Sequence, residues 1–158
     1  MDKPLAAAII VAVLALMLGA MALSWWARKK RQSGYAQLAA VPESLGASFG
    51  EFAGLYLATT PVGAPLDRIV VHGLGFRART TLEFTEQGIV FMGDRYLPVE
   101  SVTGIGRASY TIDRGVEPDG LSVVSWMLGD DAVESYFRLD DPEGFITVGE
   151  DFMKRAKK

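Results

Sequence analysis

The chain has no cysteine and one histidine in 158 residues. Without thiols it can form no disulfide, thiol nucleophile or cysteine zinc site, and the composition is compatible with a reducing compartment. The lone histidine, His72, excludes a two-histidine metal site, so neither a metal nor a cofactor is expected. Basic residues become scarce after residue 31. Beyond it eleven Lys/Arg face eighteen Asp/Glu, net −7, whereas the first 31 residues carry five Lys/Arg and one acid, net +4. An acidic body gains nothing from the phosphate neutralisation that drives nucleic-acid binding, and an anionic leaflet repels it. Nucleic acid is therefore excluded as a partner, and a protein is expected. There is no internal repeat and no low-complexity tract.

One long hydrophobic run is present. Residues 5–26 carry no charge and no proline, and Ser24 is their only clearly polar side chain. As a helix, 22 residues extend roughly 33 Å, just over the hydrocarbon thickness of a bilayer. A core helix of this length would show a polar stripe, which AAAIIVAVLALMLGAMAL lacks. A cleaved signal peptide is the rival reading, because Ala20-Met21-Ala22 has the small-x-small form of a cleavage site. Against it, the N-terminal MDK is nearly neutral and the positive cluster Arg28, Lys29, Lys30 and Arg31 lies beyond the run. A transmembrane helix over 5–26 fits better. Trp25 and Trp26 suit the membrane interface, and the four charges orient the span with its N-terminus outside and the rest cytoplasmic, at the inner (plasma) membrane. Ala15 and Gly19 form a small-xxx-small match, which leaves homo-oligomerisation through the span open.

Residues 27–48 then read as a basic juxtamembrane segment followed by a small, polar linker, QSGYAQLAAVPESLGAS. Residues 49–158 are the right size for one domain with its own core. Their pattern is mostly of period two. In FRARTTLEFTEQGIVF, Phe76, Ala78, Thr80, Leu82 and Phe84 fall on one face and Arg77, Arg79, Thr81, Glu83 and Thr85 on the other. Glu86-Gln87-Gly88 then turns the chain into a hairpin partner at 89–91. A second hairpin spans 121–128 and 132–139 around Gly129-Asp130-Asp131. Residues 52–59 predict a first strand, 68–71 a possible further one, and 95–113 two short ones broken by Pro98, Gly104 and Gly106. About seven strands result, mostly antiparallel, with Trp126, Tyr136 and Phe137 assigned to packing. A C-terminal helix follows: Asp140 or Asp141 caps it, Pro142 and Glu143 suit its first turn, and Phe145, Val148 and Phe152 share a face.

Three local patterns carry chemistry to be weighed. Gly73-Leu74-Gly75-Phe76-Arg77-Ala78 matches a dinucleotide fingerprint, but that chemistry needs a helix next, and the alternating TTLEF predicts a strand. His72 entering this glycine turn reads as a local hydrogen-bonding group; a catalytic role would need a compact polar pocket around it. Arg77 and Arg79 share a strand face, with Arg68 able to reach the same end of the sheet, so the three form a possible anion-binding set. Glu83 continues that face, which favours ordinary Arg-carboxylate pairing on a solvated sheet.

A mainly-β (α+β) sandwich or partly open barrel closed by one C-terminal helix resembles the pleckstrin-homology-like (PH-like) domains. The steps FTEQGIVF and YLPVESVTGI, with Leu97-Pro98, are similar to their bacterial members. LDRIVVHGLGFRAR and GLSVVSWMLGDDAVESYFRL add a resemblance to small bacterial single-pass membrane proteins with a helix ahead of such a domain. That resemblance implies a recognition scaffold with no catalytic residues. The expected function is a membrane-anchored adaptor that binds a protein at the inner membrane face. Two further classes stay open: an accessory subunit of a membrane transport or export complex, and a binder of anionic headgroups through Arg68, Arg77 and Arg79.

Overall fold

The computed structural model describes residues 3–111, 114–115 and 120–158, and the chain divides into two compact units, Met1–Gly34 and Tyr35–Lys158. The first is helix α1 (Lys3–Arg31) with a 3₁₀ turn at Gln32–Gly34. The helix runs on past Trp26 through all four basic residues, so the basic segment expected outside the helix forms its last turn. Cations there suit the negative helix end, and Lys29 and Lys30 sit over the rings of Trp25 and Trp26, one turn back, at 5.3 and 5.7 Å. α1 has no buried residue, and it is long and apolar enough to cross a membrane.

The second unit holds β1 (Ser48–Pro61), β2 (Ala78–Thr85), β3 (Gly88–Phe91), β4 (Arg95–Pro98) and β5 (Val102–Ala108). The short pair β6 (Tyr110–Thr111) and β7 (Arg114–Gly115) follows, then β8 (Leu121–Leu128), β9 (Asp131–Leu139) and α2 (Pro142–Ala156). Seven strands make one antiparallel open sheet in the order β4-β3-β2-β1-β9-β8-β5. This is the expected strand set, less residues 68–71. That segment is no strand: it lies in the β1–β2 connection, where Ile69 and Val71 plug the core and the Ile69 N–H bonds the Thr59 carbonyl at 2.8 Å. The last two residues of the expected 95–113 strands, Ile112 and Asp113, lie outside the described residues.

β1 belongs to both halves of the sheet. It pairs with β2 from Ser48 to Tyr56 and with β9 from Gly54 to Pro61, with a bulge between Tyr56 and Ala58. The halves meet over a core in which Tyr56 stacks on Phe91 at 5.5 Å while Phe137 presents its edge to both. α2 drives Phe145 and Phe152 against Phe84, and Phe145 also meets Phe52 edge-on. Its start is as expected: Asp141 caps it by accepting the Gly144 N–H at 2.9 Å, and Pro142 occupies the first turn.

The alternation expected across 76–85 holds from Ala78 to Phe84 and fails at both ends. Phe76 precedes the strand and is 71% exposed. Thr85 turns inward, its hydroxyl donating to the Gly88 carbonyl and accepting the Gly88 N–H. The segment expected as a free linker is a strap. Tyr35 and Leu38 pack on the core, Ala39 bridges to Tyr96 of the edge strand β4, and the carbonyls of Leu45 and Ala47 accept from Gln87 and Glu86. The compact unit thus starts at Tyr35, fourteen residues ahead of the expected boundary.

A methyl group on Gly54 would collide with the Arg138 carbonyl where β9 crosses close to β1, whereas one on Gly106 meets nothing within 4 Å. Gly54→Ala is therefore expected to lower the unfolding free energy by about 3 kcal/mol, with Gly106→Ala costing well under half of that. Urea denaturation of the full-length chain in mild detergent, followed by near-ultraviolet circular dichroism, measures the difference.

Candidate functional site

Two edges bound the seven-stranded sheet, and they are treated differently. β4 is covered by the strap at Ala39. Among the described residues β5 pairs with β8 alone, so its outer backbone donors and acceptors face away from the sheet. α2 lies beside this edge because Gly149 leaves room for it: a Cβ there would fall 2.5 Å from Ile105 Cγ2. An ion pair of 2.7 Å from Arg107 to Glu143 ties the start of the helix to the same strand. Between them runs a groove of about 350 Å³, lined by Thr103, Gly104, Ile105, Glu150, Met153, Lys154 and Lys157. Its floor offers extended backbone and the apolar Ile105 and Met153, and its rim is mostly basic.

A second concavity crosses the outer face of the sheet. The register sets Leu55 of β1 between Arg79 of β2 and Arg138 of β9, above a floor that includes Ala53 and Gly54, in a groove of about 670 Å³. Arg79 is thus brought beside Arg138, which is 59 residues away in sequence and was not among the expected site residues. Only the strand order β2-β1-β9 reveals that neighbour, and no local pattern encodes it.

The expected anion-binding set is divided by the fold. Arg68 is half-buried and acts as a clamp, its two terminal nitrogens donating to the carbonyls of Gly75 and Leu57, each at 3.1 Å. Arg77 lies exposed just ahead of β2, and Arg79 faces the outer grooves. The glycine motif opens into β2 rather than a helix, so no helix N-terminus is present to receive a pyrophosphate. His72 has left-handed backbone, φ 57°, and its Nε2 donates to the Tyr35 carbonyl at 3.2 Å. Its partner is thus the strap rather than a nucleophile. Burial, then Asp131 and Asp67, pushes the Tyr35 phenol above its ordinary pKa. No group of three His, Cys, Asp or Glu among the described residues is placed to hold a metal.

The buried polar groups form a structural chain. Trp126 Nε1 donates to Ser135 Oγ at 2.9 Å, Ser135 meets Thr59 at 2.7 Å, Thr59 meets Tyr56 Oη at 2.8 Å, and Tyr56 donates to the Leu74 carbonyl at 2.8 Å. Trp126, Tyr136 and Phe137 are all buried, as the sequence predicts. Burial pushes the Tyr56 phenol far above its ordinary pKa. In the unfolded chain it loses its proton near pH 10, so the folded state binds more protons above that pH and stability falls as pH rises further. Alkaline unfolding is expected to begin near pH 10. Tyr56→Phe should flatten that limb while costing roughly 1–3 kcal/mol at pH 7, because the Leu74 carbonyl loses its buried donor. Denaturation midpoints between pH 7 and 11 check both.

No curated protein and no solved structure matches the chain. A family model described as Bacterial PH domain-like matches residues 35–149, starting at the first residue of the compact unit and ending within α2. PH-like domains are in general binding modules rather than catalysts. With that match covering most of its length, this chain belongs to the bacterial PH domain-like family.

Proposed function

We propose that the protein is a membrane-anchored, non-enzymatic adaptor whose PH-like unit lies on the cytoplasmic side and docks an extended segment of a protein partner along β5. The observation that carries this reading is the β5 edge beside α2. Among the described residues no strand pairs with the outer backbone groups of β5, Ile105 and Met153 offer apolar contact, and Lys154 and Lys157 favour acidic side chains in an incoming segment. Anchoring by α1 rests on its length, its apolar surface and the Trp25/Trp26 collar followed by Arg28, Lys29, Lys30 and Arg31. The excess of acid in the second unit disfavours phosphate-rich partners and leaves protein as the fitting class.

Orientation is tested by adding protease outside intact cells. The PH-like unit is expected to survive until the membrane is opened, and digestion in intact cells would refute cytoplasmic placement. Docking is tested in the same cells with a photo-crosslinking residue at Thr103, and at Asp130 as control. A protein adduct is expected at 103 alone, and Lys157→Glu should reduce it by about tenfold, because one exposed charge changes sign at the groove rim. Equal adducts at both sites, or none, would count against the β5 edge.

A further inference from the structure

Among the described residues Glu83 makes none of the arginine pairs expected of it. Arg79 and Glu83 stand on the same outer face of β2, four residues and roughly 13 Å apart, with Thr81 between them. Across the sheet Glu83 faces Glu51 of β1, a like charge that repels it, and on its other side Val90 of β3. Among the described residues Arg79, Glu51 and Glu83 have no ion-pair partner. The face is therefore polarised. One end carries Arg79 and Arg138 on either side of Leu55, and the other carries Glu83 beside Glu51. The middle, Thr81 opposite Ala53, is small and exposed.

A face with this pattern is complementary to itself. A second copy can be laid on it with its strands reversed, about a two-fold axis that crosses the strands at Thr81 and Ala53. Arg79 then sits over Glu83 of that copy, and Glu83 over its Arg79. Stacked with strands running the same way, the two faces would oppose like charges. A partner that is only acidic or only basic satisfies one end of the face, whereas a second copy satisfies both. Twisted sheets of one hand fit face to face when their strand directions stay within about 30° of each other. Grooves of about 670 and 610 Å³ meet at Arg79 and Thr81, so side chains of the second copy have room to enter. Leu55 and Val41, each 39% exposed, border these grooves and add apolar area.

We infer that the outer face of β1 and β2 is an interface between two copies of this chain, held by reciprocal pairing of Arg79 with Glu83. Because the patch meets itself, the contact is isologous and closes at two chains. The inference rests neither on the β5 edge nor on association through α1. The paired charges lie near the surface, so the dimer weakens as salt is added.

Because the chain has no cysteine, one introduced thiol reports on its own surroundings. Thr81→Cys lies on the two-fold axis and meets its own copy; Asp130→Cys in the exposed β8–β9 turn is the control. The full-length chain is oxidised in mild detergent at low salt, and disulfide-linked dimer is measured on a denaturing gel. Position 81 should give at least about fivefold more dimer than position 130, since only a residue on the axis faces itself. In the Thr81→Cys chain, Arg79→Glu or Glu83→Arg should each lower the yield by about tenfold, because both reciprocal pairs become like-charged. Mixing these two single variants should restore it, and so should combining both substitutions in one chain. Restoration by mixing also shows that each variant is folded. Equal yields at 81 and 130 would overturn the inference and assign association to α1. No dimer at 81, a yield there that neither substitution changes, or a loss that neither mixing nor combination repairs would overturn it as well.

Discussion

The fold depends on the crossing of β9 over β1 at Gly54. β1 pairs with β2 over its first part and with β9 over its last, and the two registers overlap only at Gly54, Leu55 and Tyr56. A strand shared in this way must twist sharply, and the bulge after Tyr56 supplies the extra rotation. The absent Cβ at Gly54 lets the Arg138 carbonyl approach. The twist brings the inner faces of the two halves together, so that Tyr56, Phe91 and Phe137 meet and Phe52 and Phe84 are left for α2 to cover. The outer concavity holding Arg79, Leu55 and Arg138 arises from the same crossing, seen from the other side.

An open sheet has two edges to protect, and the contrast between them gives the domain its direction. The strap from Tyr35 to Ala47 passes β4 and ends at the β2–β3 turn, so that edge is occupied by the chain's own backbone. At β5 the protection is partial. α2 shields the strand from one side through the Gly149–Ile105 contact, and among the described residues no strand pairs with its outer edge. On the proposed docking, the fixed spacing between this edge and α2 would favour an extended segment over a bulky one.

The parts of the fold that local physics controls were legible in the sequence. The alternation from Ala78 to Phe84, the hairpin turns at Gly88 and Gly129, and the Asp141-Pro142 helix start each depend on neighbours a few residues away, and each is found where the pattern put it. What was missed depends on distant partners. Ile69-Val70-Val71 has a strand's composition, but a strand also needs a neighbour to pair with, and here the apolar residues serve as a plug. Residues 35–47 have a linker's composition, and their order comes from Tyr96, Gln87 and His72 far along the chain. Arg68 was grouped with Arg77 and Arg79 because it can reach the same end of the sheet, while its hydrogen bonds to Gly75 and Leu57 make it a clamp. Arg138 was overlooked because its place beside Arg79 follows only from sheet order.

A strap in place of a linker changes the mechanics of the whole chain. A flexible tether of some twenty residues would let the domain sample a hemisphere about 25 Å in radius and turn any face toward the lipid. With Tyr35 packed on the core and bonded to His72, residues 35–47 belong to the domain itself and are no flexible linker. On the proposed docking along β5, the edge is already held in strand form by β8, so an incoming segment would not have to order it and less entropy would be lost on docking.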